Sequence, residues 1–123
     1  MLKPDFAYSA IWLDLANRRA GVGSHLQGWI GKVDMTKWPA PVVRMLLGQQ
    51  TPADTFKAAD DPDATTKTGQ VCEANFYTAE LSRLQGQNGE ALQLYRTAIS
   101  GCPKGFDEYR AAKAALRELG VSL

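Results

Sequence analysis

At 123 residues and 45% hydrophobic content, the chain reads as a single domain, residues 1–123, able to bury a core without metal or dense disulfides. Its net charge of +1 is far from the strongly basic balance of proteins that grip nucleic acid by its phosphates. No run approaches the roughly 18 apolar residues of a membrane span, and Met1 to Pro4 lacks the apolar core of a signal peptide, so the expectation is a cytoplasmic chain or one cut from a longer exported precursor.

The first helix is expected from Asp5, which follows Pro4 and can cap it. Phe6, Ala10, Leu13 and Ala20, with Ile11, Trp12 and Leu15, make it broadly apolar, and Gly21 stops it. A second helix is expected from Ser24, capped by that hydroxyl, with Leu26, Trp29, Ile30 and Val33 turned inward. Asp34 to Pro41 contains Trp38-Pro39 and Pro41; residues before proline are pushed away from helical geometry, which makes this a connector. Val42 to Leu47 is then a short helix ended by Gly48. Thr51-Pro52-Ala53-Asp54 starts another, with Thr as cap, Pro in the first helical position and the Asp charge near the positive end of the helix dipole. Phe56 and Ala59 are its expected buried contacts.

The linker Asp60 to Thr68 is acidic, with Asp60, Asp61 and Asp63 around Pro62. Calcium is a weak reading, because the regular D-x-D-x-D-G loop and its distant Glu are missing; a solvated turn with an Asp cap accounts for the cluster. Val71 to Pro103 reads as two helices folded against each other, punctuated by Gly86, Asn88 and Gly89. In the second, Ala91, Leu94, Tyr95, Ala98 and Cys102 recur at spacings of three and four and line a side that must be buried. In the first, Cys72, Phe76, Ala79 and Arg83 share a face, with Leu81 and Leu84 adding bulk. After Pro103 a last helix runs from about Phe106 to Leu119. Phe106, Tyr109, Ala112, Lys113, Leu116 and Leu119 form its apolar side, while Asp107, Glu108, Arg110, Arg117 and Glu118 keep the other wet.

Ala91, Tyr95, Ala98 and Pro103, with Gly86 at the turn, resemble the second half of a tetratricopeptide repeat, a helix-turn-helix unit of about 34 residues. The first half departs from that pattern: Asn75, Thr78, Ala79 and Ser82 occupy its signature places, and only Ala79 is an acceptable small substitute. Aligning Gly21 with Gly86 sets Trp12 against Tyr77, Ile11 against Phe76, Leu26 against Ala91, Ile30 against Tyr95 and Val33 against Ala98, so residues 5 to 33 read as a degenerate copy. The implied fold is all-α, a superhelix of about three helical hairpins, one degenerate, one shortened and one clear, closed by a C-terminal capping helix. Trp12-Leu13, Trp38-Pro39, Leu47-Gly48, Cys72-Glu73, Phe76-Tyr77, Cys102-Pro103 and Glu108-Tyr109 look similar in order to bacterial tetratricopeptide proteins related to an envelope lipoprotein adaptor. That resemblance implies a non-catalytic scaffold, placed in the periplasm or envelope if a signal was removed. Without a lipid-attachment cysteine near Met1, anchoring does not carry over.

Cys72 and Cys102 fall at the same end of the antiparallel pair, on facing stripes. A bond between them would close a loop of about 31 residues, worth roughly 3–4 kcal/mol in the loop-entropy account; two small buried thiols are the open alternative. His25 is the single histidine, so histidine pairs for metal are excluded, and no nucleophile elbow accompanies it. Gly21-Val22-Gly23-Ser24 with Gly28 lacks the spacing and the preceding strand of a phosphate loop. No enzyme activity and no cofactor are expected.

The resemblance places partner contacts on the first helix of each pair: Tyr8, Ile11, Leu15 and Arg18, then Glu73, Phe76, Glu80 and Arg83, with Asp107, Arg110 and Arg117 added by the last helix. Mixed rings and charges suit an extended peptide, since rings supply buried area and Arg engages carboxylates in bidentate fashion. The leading expectation is therefore a protein-interaction scaffold that holds a protein or peptide partner. Two alternatives stand beside it: self-association through a patch at Trp29 or Trp38, and a nucleic-acid role for Arg18-Arg19 or Arg110, Lys113 and Arg117.

Overall fold

A computed structural model of the chain describes residues 4–121. The described residues form six α-helices and one 3-10 helix, with no strand among them. The chain falls into two compact units, Met1–Thr55 and Phe56–Leu123.

In the first unit, α1 spans Pro4–Arg19, with Arg18 and Arg19 placed in its last turn, where cations offset the negative end of the dipole. The side chain of Asp5, read above as a cap, lies outside the described part. Ala7, Ala10, Ile11 and Leu15 form the buried stripe. The expected second helix is instead a short 3-10 helix, Leu26–Lys32. Gly28 and Gly31 within it weaken an α-helix by roughly 1 kcal/mol each, and the chain closes the tighter three-residue turns, with Gly28 N–H donating to His25 C=O at 3.1 Å and Val33 N–H to Ile30 C=O at 3.1 Å. Leu26 and Val33 are buried as expected, whereas Trp29 and Ile30 remain half exposed. The first hairpin is thus a helix paired with a single 3-10 segment. The connector leads to α2, Ala40–Leu46, which buries Val42, Val43, Met45 and Leu46.

Helix α3, Pro52–Ala58, starts where Thr51 predicts. Asp54 N–H donates to Thr51 Oγ1 at 3.1 Å and Thr51 N–H donates to Asp54 Oδ2 at 3.2 Å, a reciprocal cap that satisfies two backbone donors left without helical partners. Of the contacts expected to be buried, Ala59 is fully so and Phe56 only partly; Thr55 is also fully enclosed.

The second unit is built on α4, Ala64–Leu84, and α5, Asn88–Gly101, with α6, Asp107–Glu118, packed on both. Helix α4 begins seven residues before the expected Val71, because Asp63 caps it: the Thr66 amide donates to Asp63 Oδ2 at 2.9 Å and the Thr66 hydroxyl at 2.7 Å. Gly86 makes the reversal with φ of 78°, a left-handed conformation that costs glycine little and other residues about 1–2 kcal/mol. Asn88 and Gly89, expected in the turn, already belong to α5. Ala91, Tyr95 and Ala98 are fully buried along α5. Cys72 lies well inside α4, and its Sγ is 2.04 Å from that of Cys102, so of the two readings left open for the pair it is the disulfide that is found. One turn earlier, the Phe106 ring rests against Gly69, where an added Cβ would meet it at 3.2 Å. The segment joining α5 to α6 is thereby held to α4 at two points.

Among the described residues, three acids are buried in this core, Glu73, Glu80 and Glu108, and two of them meet tyrosine hydroxyls. The Tyr77 hydroxyl donates to Glu108 Oε2 at 2.6 Å, and the Tyr95 hydroxyl donates to Glu80. Glu108, expected on the wet side of α6, is 7% exposed; a carboxylate tolerates such burial only with a donor at hand. Tyr77→Phe removes that donor and is expected to cost about 1–3 kcal/mol, read from denaturant unfolding, with an unchanged midpoint contradicting the assignment.

The Asp63 cap predicts an acid effect. The Thr66 backbone and side-chain hydrogen bonds hold its carboxyl below the ordinary carboxylate value. With the folded value below the unfolded one, this stabilisation is present above the unfolded pKa of about 3.9 and disappears as pH falls through the folded value. The stability gap between the native chain and Asp63→Ala should therefore close on acidification below about pH 4, measured as the two denaturant midpoints; a constant gap would contradict it.

Candidate interaction surface

The residues assigned by resemblance to a concave groove divide sharply by burial. Ile11, Leu15, Phe76 and Glu80 are each at most 2% exposed, and Glu73 is 8% exposed. Ile11 and Leu15 belong to the interior of the first unit. Phe76 packs edge-on to Tyr77, with ring centroids 5.1 Å apart and planes at 76°, and at 6.0 Å from the Tyr95 ring. Every residue of α4 from Cys72 to Glu80 is buried, so this stretch offers a partner no surface.

The remaining members of that set are at least partly exposed. Tyr8 is half-buried on α1. Arg18 is held inside the first unit: its Nε lies 3.0 Å from Asp14 Oδ2, and its Nη2 donates to Leu46 C=O at 2.6 Å and to Ser24 Oγ at 3.2 Å. Asp14 is fully buried and also accepts from Ser24 Oγ at 2.5 Å. This tie between α1, the following loop and the end of α2 went unread in the sequence, where Asp14 looks like one more surface acid. Arg83 bridges to Glu118 on α6 at 2.8 Å. Partial burial pushes its pKa down, but hydrogen bonds to Glu118 and Tyr95 outweigh this and hold it above the usual guanidinium value. Asp107 and Arg110 are exposed and paired with each other, and Arg117 is exposed. Lys113 lies over the Tyr109 ring, 5.4 Å from its centroid.

Among the described residues, a cleft opens on the surface of each unit. In the second unit a space of about 270 Å³ lies between α4 and α5 beside Cys72. Its polar donors are engaged within the fold. Thr68 and Thr97 hydroxyls donate to carbonyls four residues back, Asn75 Nδ2 donates to Val71 C=O at 3.0 Å, and Lys67 pairs with Asp60 at 2.9 Å.

The cleft of the first unit has a different character. It measures about 240 Å³ and is lined by Phe6, Ser9, Ala10 and Leu13 of α1 and by Trp29 and Lys32 of the 3-10 helix. The four α1 positions follow the three-and-four spacing of one helix stripe, so they form a continuous wall with bulky ends and a floor of small side chains. The tighter winding of the 3-10 helix places Trp29 and Lys32 three residues apart on the opposite wall. Leu13 is 51% exposed, one of two large hydrophobic side chains so open among the described residues. Lys32 is exposed and has no acidic partner among the described residues. Sequence reading turns Trp29 inward and places Phe6 and Leu13 on a broadly apolar helix without choosing its buried side; the signal toward this surface is the self-association patch offered at Trp29. No family model, curated protein or solved structure matches this chain.

Proposed function

We propose that the chain is a non-catalytic interaction module that holds a segment of a partner protein, and that the cleft between α1 and the 3-10 helix is where it does so. The observation that carries this reading is the exposure of Leu13 beside half-buried Phe6 and Trp29 around a space of about 240 Å³. Contiguous apolar surface of this kind gains free energy when a partner covers it. A tetratricopeptide kinship belongs to the same proposal and draws its support from the second unit, where a helical pair turns at Gly86, buries Ala91, Tyr95 and Ala98, and is covered by α6. In this reading the second unit is the scaffold and the partner is taken by the first.

The nucleic-acid alternative is weakened because Arg110 is paired with Asp107 and Arg18 with Asp14, which lowers the free positive charge that a phosphate backbone would meet. The test is selection of a displayed 12-residue random peptide library on the intact chain. Recovered peptides should bind Leu13→Asp more than about tenfold more weakly, since a buried leucine contributes roughly 1.5–3 kcal/mol, while its circular dichroism stays native. Equal binding by both chains would overturn the assignment.

A further inference from the structure

We infer that the occupant of the first-unit cleft is an acidic amphipathic segment, one bulky apolar side chain with a carboxylate close beside it. This rests on the interaction reading above and adds the chemistry of the partner. Phe6 and Leu13 stand at the ends of the cleft and Ser9 and Ala10 at its floor, leaving the room of a side chain between two apolar bulges. A leucine, methionine or phenylalanine inserted there would contact carbon on both walls and displace water from Leu13 and Trp29.

Charge then narrows the partner. Lys32 ends the opposite wall, and its ammonium meets no acidic side chain among the described residues. A carboxylate reaching the rim beside the buried group would pair with it at the edge of an apolar surface, where the attraction exceeds that in open water. A basic segment would meet repulsion at the same point, which gives the site discrimination as well as attraction. A second copy of the chain is the rival occupant.

The experiment repeats the library selection in parallel on the native chain, on Lys32→Glu and on Leu13→Asp, with sedimentation equilibrium of the native chain alone. The expected result is a native pool enriched in one bulky apolar residue with Asp or Glu nearby, and a Lys32→Glu pool enriched in Lys or Arg instead. A recovered acidic peptide should bind Lys32→Glu about fivefold more weakly, as for a partly exposed ion pair turned into a like-charge contact. Pools of the same charge on both chains, each lost on Leu13→Asp, overturn the acidic partner and leave the cleft as an interaction site. Pools indifferent to Leu13→Asp, or no enriched pool, overturn both. Concentration-dependent dimers abolished by Leu13→Asp replace the acidic segment with a second copy as the occupant.

Discussion

Phe76→Ala is expected to destabilise the second unit by about 3–5 kcal/mol, the cost of deleting a large ring from a packed core and leaving a cavity behind. The ring is 1% exposed and lies against Tyr77 and Tyr95. Its loss removes both buried area and the aromatic contacts, and the surrounding helices cannot close the gap without moving α5 relative to α4. Urea unfolding followed by circular dichroism measures it. The same substitution separates two roles for Phe76: a groove residue would leave stability within about 0.5 kcal/mol and change partner affinity, whereas a core residue moves the midpoint strongly. A midpoint unchanged by Phe76→Ala would contradict the packing described.

The second large effect concerns Cys72 and Cys102. Removing their bond, through the Cys72→Ala, Cys102→Ala pair or by reduction, is expected to cost about 3–4 kcal/mol, because the cross-link closes 30 residues of sequence and restricts the unfolded chain accordingly. The loss should appear in both tests, and local opening should be greatest near Cys102 to Phe106. There the Phe106 ring on Gly69 would still hold the α5–α6 connection to α4. Hydrogen exchange with and without reductant reads both the size and the location of the change. Equal stability of the oxidised and reduced chains would mean that native packing alone restricts this segment.

The parts of the fold that could be read from the sequence are those where local chemistry and burial agree. Thr51 and Asp54 cap α3 as their identities require, Gly86 turns the hairpin, and the spacing of Ala91, Tyr95 and Ala98 marks the buried side of α5. The reading failed where the two signals part. Leu26, Trp29, Ile30 and Val33 keep helical spacing, but Gly28 and Gly31 between them yield a 3-10 segment that leaves Trp29 at the surface. On α4, the resemblance turns Glu73 and Glu80 toward a partner, and Asn75, Thr78 and Ser82 depart from the repeat's signature places, yet all five are buried. Glu80 is held by a partner distant in sequence, the Tyr95 hydroxyl, and no periodicity announces such a partner.

The candidate site was hidden for the converse reason. Phe6 and Leu13 are as apolar as Ile11 and Leu15, and a helix with so broad a hydrophobic surface does not reveal which stripe the fold covers. The structure decides it: Ile11 and Leu15 are enclosed, and the stripe from Phe6 to Leu13 is left beside Trp29. Likewise, Arg18 reads as a ready contact for a carboxylate until Asp14, Ser24 and the Leu46 carbonyl are seen to occupy it. Residue types that suit binding also suit internal ties, and only the distances separate the two uses.

In the proposed function a partner is taken on the first-unit cleft, while the α4 residues expected in a groove serve as core. Titration of a library-selected peptide into isotopically labelled chain, followed by amide and indole resonances, tests it most directly. Shifts are expected in the Trp29 indole, in the amides of Phe6 to Leu13 and near Lys32, with the amides of Phe76 and Glu80 unmoved. Shifts centred on α4 and α6, with the first unit silent, would contradict it.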